Sequence, residues 1–349
     1  MQMQSLIRRV ALIASCVAPL SAHAITINRD IDSYVLFAYD FLAVKGGNDG
    51  AGERGYVYGG NVGVNAIDPQ PGNDNNVVMN VGANGRFIMS DGTQLVADTS
   101  RFGEEADVWN YISDCTVPGF DCMGQNGTIR NGASTPFASA GDHPTTTEAI
   151  IAAADLPVLP FDPARTETDS GVSYNYSSDA SLAPGTYANI NVQNGVTLTL
   201  GAGVYNLLNF TTGQNVTVIA DPATILMIDG KFSLGDNGSD FGSASAVPWV
   251  YAGCQGVGAN DDSIHFGAEG VTAYGHFFTP CGNMGSGRGA NLYGTFWSNL
   301  FSNDFNANFR YIPPDSVPEP GTLALLGIGL AGLGLSRRRR KKVPVLRFP

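Results

Sequence analysis

The stretch that decides the fold runs from Pro184 to Ala220: PGTYANINVQNGVTLTLGAGVYNLLNFTTGQNVTVIA. Laid over itself at an offset of 18, Pro184-Gly185-Thr186-Tyr187 falls on Ala202-Gly203-Val204-Tyr205, Ile190 on Leu208 and Val192 on Phe210. The match continues with Gly195 on Gly213, Leu198 on Val216, Thr199 on Thr217 and Leu200 on Val218, and a looser third step reaches Leu226, Ile228 and Leu234. Within each unit apolar and polar residues alternate, as in Val196-Thr197-Leu198-Thr199-Leu200, so each short strand has one face to bury. Gly195 and Gly213 mark the corners. A unit of this size, built of short strands and glycine corners, predicts one coil of a β-solenoid, with Leu198 stacked on Val216 and Tyr187 on Tyr205. An antiparallel meander is the competing arrangement. Hairpins alone do not readily register both the Gly and the Tyr positions.

Working outward, Gly55 to Val64 and Val77 to Ile88 upstream, and Gly270 to Phe278 and Leu292 to Phe301 downstream, share the strand-and-glycine texture. Between the halves, Thr145-x-x-Glu148 followed by an alanine-rich apolar run predicts a capped helix that ends before Pro157. With the loop from Cys115 to Cys122 it reads as one small helical insertion into a mainly all-β body.

Both ends of the chain carry signals. Residues 1–24 have a basic start at Arg8 and Arg9, an apolar segment from Val10 to Leu20, and small residues at Ala22 and Ala24, the layout of a secretory signal peptide cut after Ala24. Removal of Cys16 with that segment leaves Cys115, Cys122, Cys254 and Cys281. An even count in an exported chain favours disulfides. Sequence-local pairing, Cys115 with Cys122 and Cys254 with Cys281, is the favoured arrangement of the three that four cysteines permit. A zinc site competes weakly, because no Cys-x-x-Cys spacing occurs. From Ile25 to Asp315 the chain carries 10 Lys and Arg against 30 Asp and Glu, a net charge of −20. So acidic a body repels nucleic acid and anionic lipid.

The other end reads Val317-Pro318-Glu319-Pro320, then fifteen uncharged residues from Gly321 to Leu335, then Arg337, Arg338, Arg339, Arg340 and two lysines. As a helix that span reaches only ~23 Å at about 1.5 Å per residue. A bilayer core is ~30 Å thick. The five glycines of the span weaken the helix further. It is thus a short transmembrane helix that enters the inner membrane transiently, with the basic cluster kept cytoplasmic and the acidic body outside.

These three parts, in this order at this place, resemble the PEP-CTERM sorting signal of Gram-negative bacteria that make exopolysaccharide. The resemblance implies a substrate of an exosortase, a membrane transpeptidase-like enzyme that cuts near the Pro-Glu-Pro and passes the body to the surface or the medium. It also implies work beside exopolysaccharide. The extension Val343 to Pro349 departs from the family, which usually stops soon after its basic residues. A retained tail anchor is the alternative.

The body has a resemblance of its own. Ser33-YVLFAYDFLAVKGG, Glu53-RGYVYGGNVGVN, the Pro-Gly-Thr-Tyr coils and a late YGTFWSNLFSND are similar to the choice-of-anchor A domain of bacterial surface proteins. That resemblance implies a β-rich extracellular module over residues 25–315, followed by the sorting signal over 316–349, and it brings no catalytic residue or cofactor with it.

Direct signs of chemistry are sparse. Asp261-Asp262 followed by Gly275-His276 loosely suggests the paired carboxylates of a β-helical polysaccharide-cleaving enzyme, the alternative function. The Gly expected after the His is Phe277, no Arg-x-Lys follows, and a Gly/Asn-rich loop is where solvated aspartates belong. His143, His265 and His276 stand in no His-Glu-x-x-His arrangement. Calcium binding by Asp236, Asp240, Asp261 or Asp262 lacks the repeat of calcium solenoids, and no metal site is assigned. Thr197, Thr199 and Thr217 are expected to face outward, and Trp249, Trp297 and Tyr293 are candidates for stacking on sugars, with core filling as the commoner role. The expectation is a non-enzymatic surface or matrix protein.

Overall fold

The computed structural model describes residues 31–45, 56–65, 79–81, 86–89, 95–96, 100–102, 107–110, 156, 159–161, 171–253, 262–304 and 306–314. The signal peptide, the expected helix with the Cys115–Cys122 loop, Cys254, Asp261 and the C-terminal signal lie outside the described residues. Among the described residues there is no α-helix, and no helix is long and apolar enough to cross a membrane.

The chain is mainly β-strand. The first strands are β1 (Tyr34–Val44), preceded by a 3-10 turn at Ile31–Ser33, β2 (Tyr56–Tyr58), β3 (Asn61–Val64) and β4 (Met79–Val81). Next come β5 (Arg86–Met89), β6 (Leu95–Val96), β7 (Ser100–Phe102) and β8 (Asp107–Asn110). The central strands are β9 (Val172–Tyr176), β10 (Ala180–Leu182), β11 (Gly185–Val192), β12 (Thr197–Leu200), β13 (Gly203–Thr212), β14 (Thr217–Ala220), β15 (Thr224–Ile228) and β16 (Phe232–Leu234). The last are β17 (Asp240–Phe241), β18 (Trp249–Ala252), β19 (Asp262–Phe266), β20 (Thr272–Ser286), β21 (Asn291–Asn303) and β22 (Asn308–Tyr311).

Every pairing between these strands is parallel, and from β9 to β22 each pass of the chain lies on the pass before it. Alternation makes this work. In β12 and β14 the burial alternates residue by residue, and the inward residues fall in line from pass to pass. One inward column runs Leu198, Val218, Phe241, Ala273, Leu292, Phe309 and Val57. A second runs Tyr205, Leu226, Val250, Phe277, Phe296, Leu36 and Val62. The third runs Ile190, Phe210, Phe232, Ile264, Met284, Phe301, Leu42 and Met79. These residues are almost completely buried in one core, and each Leu, Ile or Phe contributes about 1.5–3 kcal/mol by leaving water.

The columns expose a circular order. They run through residues 171–311 and then continue into residues 34–110, so the N-terminal strands stack beyond the C-terminal ones. β22 lies on the first half of β21, and β1 lies on its second half. The two ends of the body therefore share one pass, covered on its far side by β2, β3 and β4.

The register expected from the sequence is corrected. Leu198 stacks on Val218 and Tyr187 on Leu207, an offset of 20 in place of 18. The repeated Gly-x-Tyr marks a corner device instead. The Tyr187 hydroxyl donates to the carbonyl of Ala183, and the Tyr205 hydroxyl lies 3.1 Å from the carbonyl of Gly201 and 2.8 Å from that of Leu182, so each braces the bend four residues behind it. The slip of two residues leaves every side chain on its expected face, because strand periodicity is two.

A second corner forms its own column. Gly195, Asn215, Asn237, Glu269 and Gly289 all take the left-handed conformation, with φ of 73, 54, 57, 60 and 70°. Each of the first four donates its N–H to the carbonyl just before the next member, at Gln214, Asp236, Ala268 and Arg288. Gly195 thus aligns with Asn215, and Gly213 is no member of the column.

Candidate functional site

The sorting residues Val317, Pro318, Glu319, Pro320 and Arg337 to Arg340 lie outside the described residues, but the structure places the point from which they leave. That point is Tyr311, the last residue of β22. β22 alternates inward Phe309 with outward Asn308 and Arg310 and is paired on both sides, so it ends the body as an interior strand. The Tyr311 ring lies against Gly60, where an added Cβ would come within 2.8 Å of the ring, and Gly60 has a φ of 68°. Only glycine meets both demands. The Tyr311 hydroxyl donates to the carbonyl of Asp32 at 2.6 Å, tying the C-terminal end of the body to the turn that precedes β1.

β1 is fastened to the C-terminal strands along its length. The Trp297 Nε1 donates to the carbonyl of Tyr34 at 3.0 Å, and the Lys45 N–H donates to Asn303 Oδ1 at 2.6 Å. An exposed ion pair from Lys45 Nζ to Asp304, 3.5 Å, adds little. Outside the main core Tyr34, Phe37, Phe278 and Trp297 form a second cluster, on which Leu156, Leu159, Trp249 and Tyr251 pack. Burial, with the Asp32 charge adding to it, pushes the Tyr251 phenol up to about 12. Burial alone raises the Tyr39 phenol further.

Of the candidate catalytic pair the structure describes Asp262, while Asp261 lies outside the described residues. Asp262 Oδ2 lies 3.0 Å from His265 Nδ1, and a Cβ on Gly285 would collide with that carboxylate oxygen, so the pair lies flat over the glycine of the next pass. The Asp262 carboxylate is thus engaged with an imidazole. His276 is buried, 3.0 Å from the Thr295 hydroxyl through Nδ1 and 4.7 Å from the Trp249 ring. It is a buried histidine of the body. Among the described residues no group of His, Cys, Asp or Glu could hold a metal ion. Cys281 is exposed and disulfide-bonded, with its partner outside the described residues. Trp297 is buried and Trp249 half-buried, stacked on Tyr251 at 5.4 Å.

The sequence did not single out one outward row. Register places Tyr274, Tyr293, Arg310 and Tyr58 side by side on four successive passes. Tyr274 and Tyr293 stack at 4.4 Å, and Arg310 and Tyr58 are exposed. Burial pushes the Tyr274 phenol above its ordinary value, with Tyr293 adding and Arg310 opposing, and burial raises Tyr58 too. The raised phenols of Tyr274 and Tyr58 therefore stay neutral hydrogen-bond donors at physiological pH. The signal that could have found them is the Tyr-Gly pairs at Tyr274 and Tyr293 with the Tyr-x-Tyr at Tyr56 and the Arg-Tyr at Arg310, legible only once the passes are aligned.

Comparison with family models finds the PEP-CTERM protein-sorting motif at residues 316–340, five residues beyond Tyr311. No curated protein matches the chain. A motif of this kind marks an exosortase-processed protein exported to the cell surface of a Gram-negative bacterium.

Proposed function

We propose that this chain is an exported, non-enzymatic surface or matrix protein, released by exosortase at its C-terminal signal and working beside exopolysaccharide. The carrying observation is the sorting motif at 316–340, joined to a finished β body. The body is a β-solenoid of the choice-of-anchor A kind. Parallel pairing throughout, passes of about twenty residues and three continuous inward columns support that architecture. The signal peptide ending at Ala24 and the short membrane span over 321–335 complete the route. For contact with polysaccharide, the row of Tyr274, Tyr293, Arg310 and Tyr58 offers phenol and guanidinium donors along the body, suited to hydroxyl and carboxylate groups of a chain laid across the strands.

The intact mass of protein recovered from cells tests the route, because it reports both processed ends. Loss of residues 1–24 and of the segment beyond the Pro-Glu-Pro is expected. Full-length mass refutes it. Incubation with acidic polysaccharides tests the absence of enzymatic activity: chain shortening that vanishes in Asp262→Asn would show a hydrolase or lyase.

A further inference from the structure

We propose that β1 is the closing element of the body, and that the C-terminal signal is offered to its cleaving enzyme only on a body already closed by the chain's own N-terminal strand. The inference rests on the sorting reading above. Its physical basis is the pass shared by β1 and β22. Tyr34 through Ala38 are fully buried, with Leu36 between Phe296 and Val62 and Leu42 between Phe301 and Met79. Without β1 both columns are cut and the outward cluster of Phe37, Phe278 and Trp297 loses its floor. Yet the partners of β1 on β21 lie some 260 residues later in the chain, Leu36 pairing with Phe296, and the bonds between Lys45 and Asn303 and from Tyr311 of β22 to Asp32 before β1 span 258 and 279 residues. A chain exported from its N-terminus carries β1 outside first and cannot complete its pairing until β21 follows. β22 arrives last, and Tyr311 then locks against Gly60 and Asp32.

Five residues, 312–316, separate Tyr311 from Val317. At about 3.3–3.6 Å per extended residue the motif starts within ~20 Å of the Tyr311 seat. The expected cut after Ala24 lies seven residues before the turn at Ile31–Ser33, and that turn is bonded to Tyr311 through the Asp32 carbonyl. The described residues nearest to the two membrane-directed ends are therefore neighbours. The body can close while both are still held, and the C-terminal peptide bond is cut beside a closed, rigid surface.

The test uses the full chain expressed in its own cells, followed by intact mass. Wild type must lose its tail; if it keeps it, the sorting reading and this inference fall together. Leu36→Asp places a charge in the closed pass and is expected to raise the tail-bearing fraction several-fold among exported chains. Processing equal to wild type, in chains whose β1 has become protease-sensitive, overturns the closure requirement while leaving the sorting reading intact. A second variant does not depend on misfolding. Ala43 and Ser302 are register partners on β1 and β21, both pointing away from the core. Their Cα atoms, roughly 5 Å apart across a parallel pair, lie within disulfide range. In Ala43→Cys/Ser302→Cys the tail-cleaved chains are expected to carry the β1–β21 link. If linked chains all keep their tails, the enzyme needs an open body and the proposal is wrong.

Discussion

Replacing Phe232 by alanine removes the side chain on which the interior of the central passes is centred. Phe232 is completely buried and lies in register between Phe210 and Ile264. Its ring stacks on Phe210 at 5.5 Å and 11°, and meets Phe241 edge-on at 5.2 Å, Phe277 at 5.8 Å and Phe266 at 6.3 Å. Leaving water is worth about 1.5–3 kcal/mol for such a ring. Each aromatic pair adds about 0.5–1.5 kcal/mol. Measured Phe→Ala changes in cores run to about 3–5 kcal/mol once the cavity is included. The upper part of that range applies here. The strands on either side are held by their own ladders and cannot collapse into the space. The loss is therefore expected at about 4–5 kcal/mol, with about 1–1.5 kcal/mol for Phe232→Leu, which keeps most of the volume. Ile219→Ala, at a half-exposed outward position on β14, should cost less than about 0.5 kcal/mol. Urea unfolding of the exported protein, followed by far-ultraviolet circular dichroism, reads all three. A loss below about 1 kcal/mol for Phe232→Ala would mean that the columns do not form a packed interior.

Further outcomes follow from the same geometry. Glu269 is the one member of the left-handed corner column that is neither Gly nor Asn, at a φ of 60°, so Glu269→Gly should raise stability by about 0.5–1 kcal/mol in the same urea assay. Tyr251 has its phenol pushed up to about 12 by burial and by Asp32, so the unfolded chain, with tyrosines near 10, ionises first. Stability should hold below pH 10 and fall between pH 10 and 12 by up to ~2–3 kcal/mol from this group, and Tyr251→Phe should flatten that part of the profile. Peptide mapping without reduction should join Cys281 to Cys254. β18 and β20 pair at an offset of 27, Trp249 with His276 and Tyr251 with Phe278, and 254 and 281 differ by the same number. A link from Cys281 to Cys115 or Cys122 would refute the sequence-local pairing.

Alternation in Val196 to Leu200 gave away the strands and their inward faces, because a half-buried strand cannot conceal a period of two. The offset was harder. Tyr187 and Tyr205 repeat at 18 because each braces the corner just behind it, a local demand that need not keep step with the ladder, and the ladder stacks Tyr187 on Leu207. The corner was misjudged for a similar reason. Asn215 takes the left-handed conformation that glycine usually marks, while Gly213 is needed because Asn194 Oδ1 occupies the place of a Cβ. The closeness of β1 to β21 and β22 left no trace in the sequence, since no local pattern joins residues some 260 positions apart. The sorting motif was legible because its parts follow one another along the chain and need no register to be recognised. The row of Tyr274, Tyr293, Arg310 and Tyr58 lay between these cases: its residues stood in view, but only the register brings them together.

The left-handed corner also governs how such a body can lengthen. Its members recur once per pass, yet the interval between them varies from 20 residues, between Gly195 and Asn215, to 32, between Asn237 and Glu269. The surplus residues are therefore taken up elsewhere in the pass, while the hinge keeps the five passes that carry it in phase. Duplication of a whole pass would respect that phase and add ~4.8 Å of height. Gene duplication could in this way extend the protein's reach from the envelope in small, fixed increments, without disturbing the seam where its ends meet.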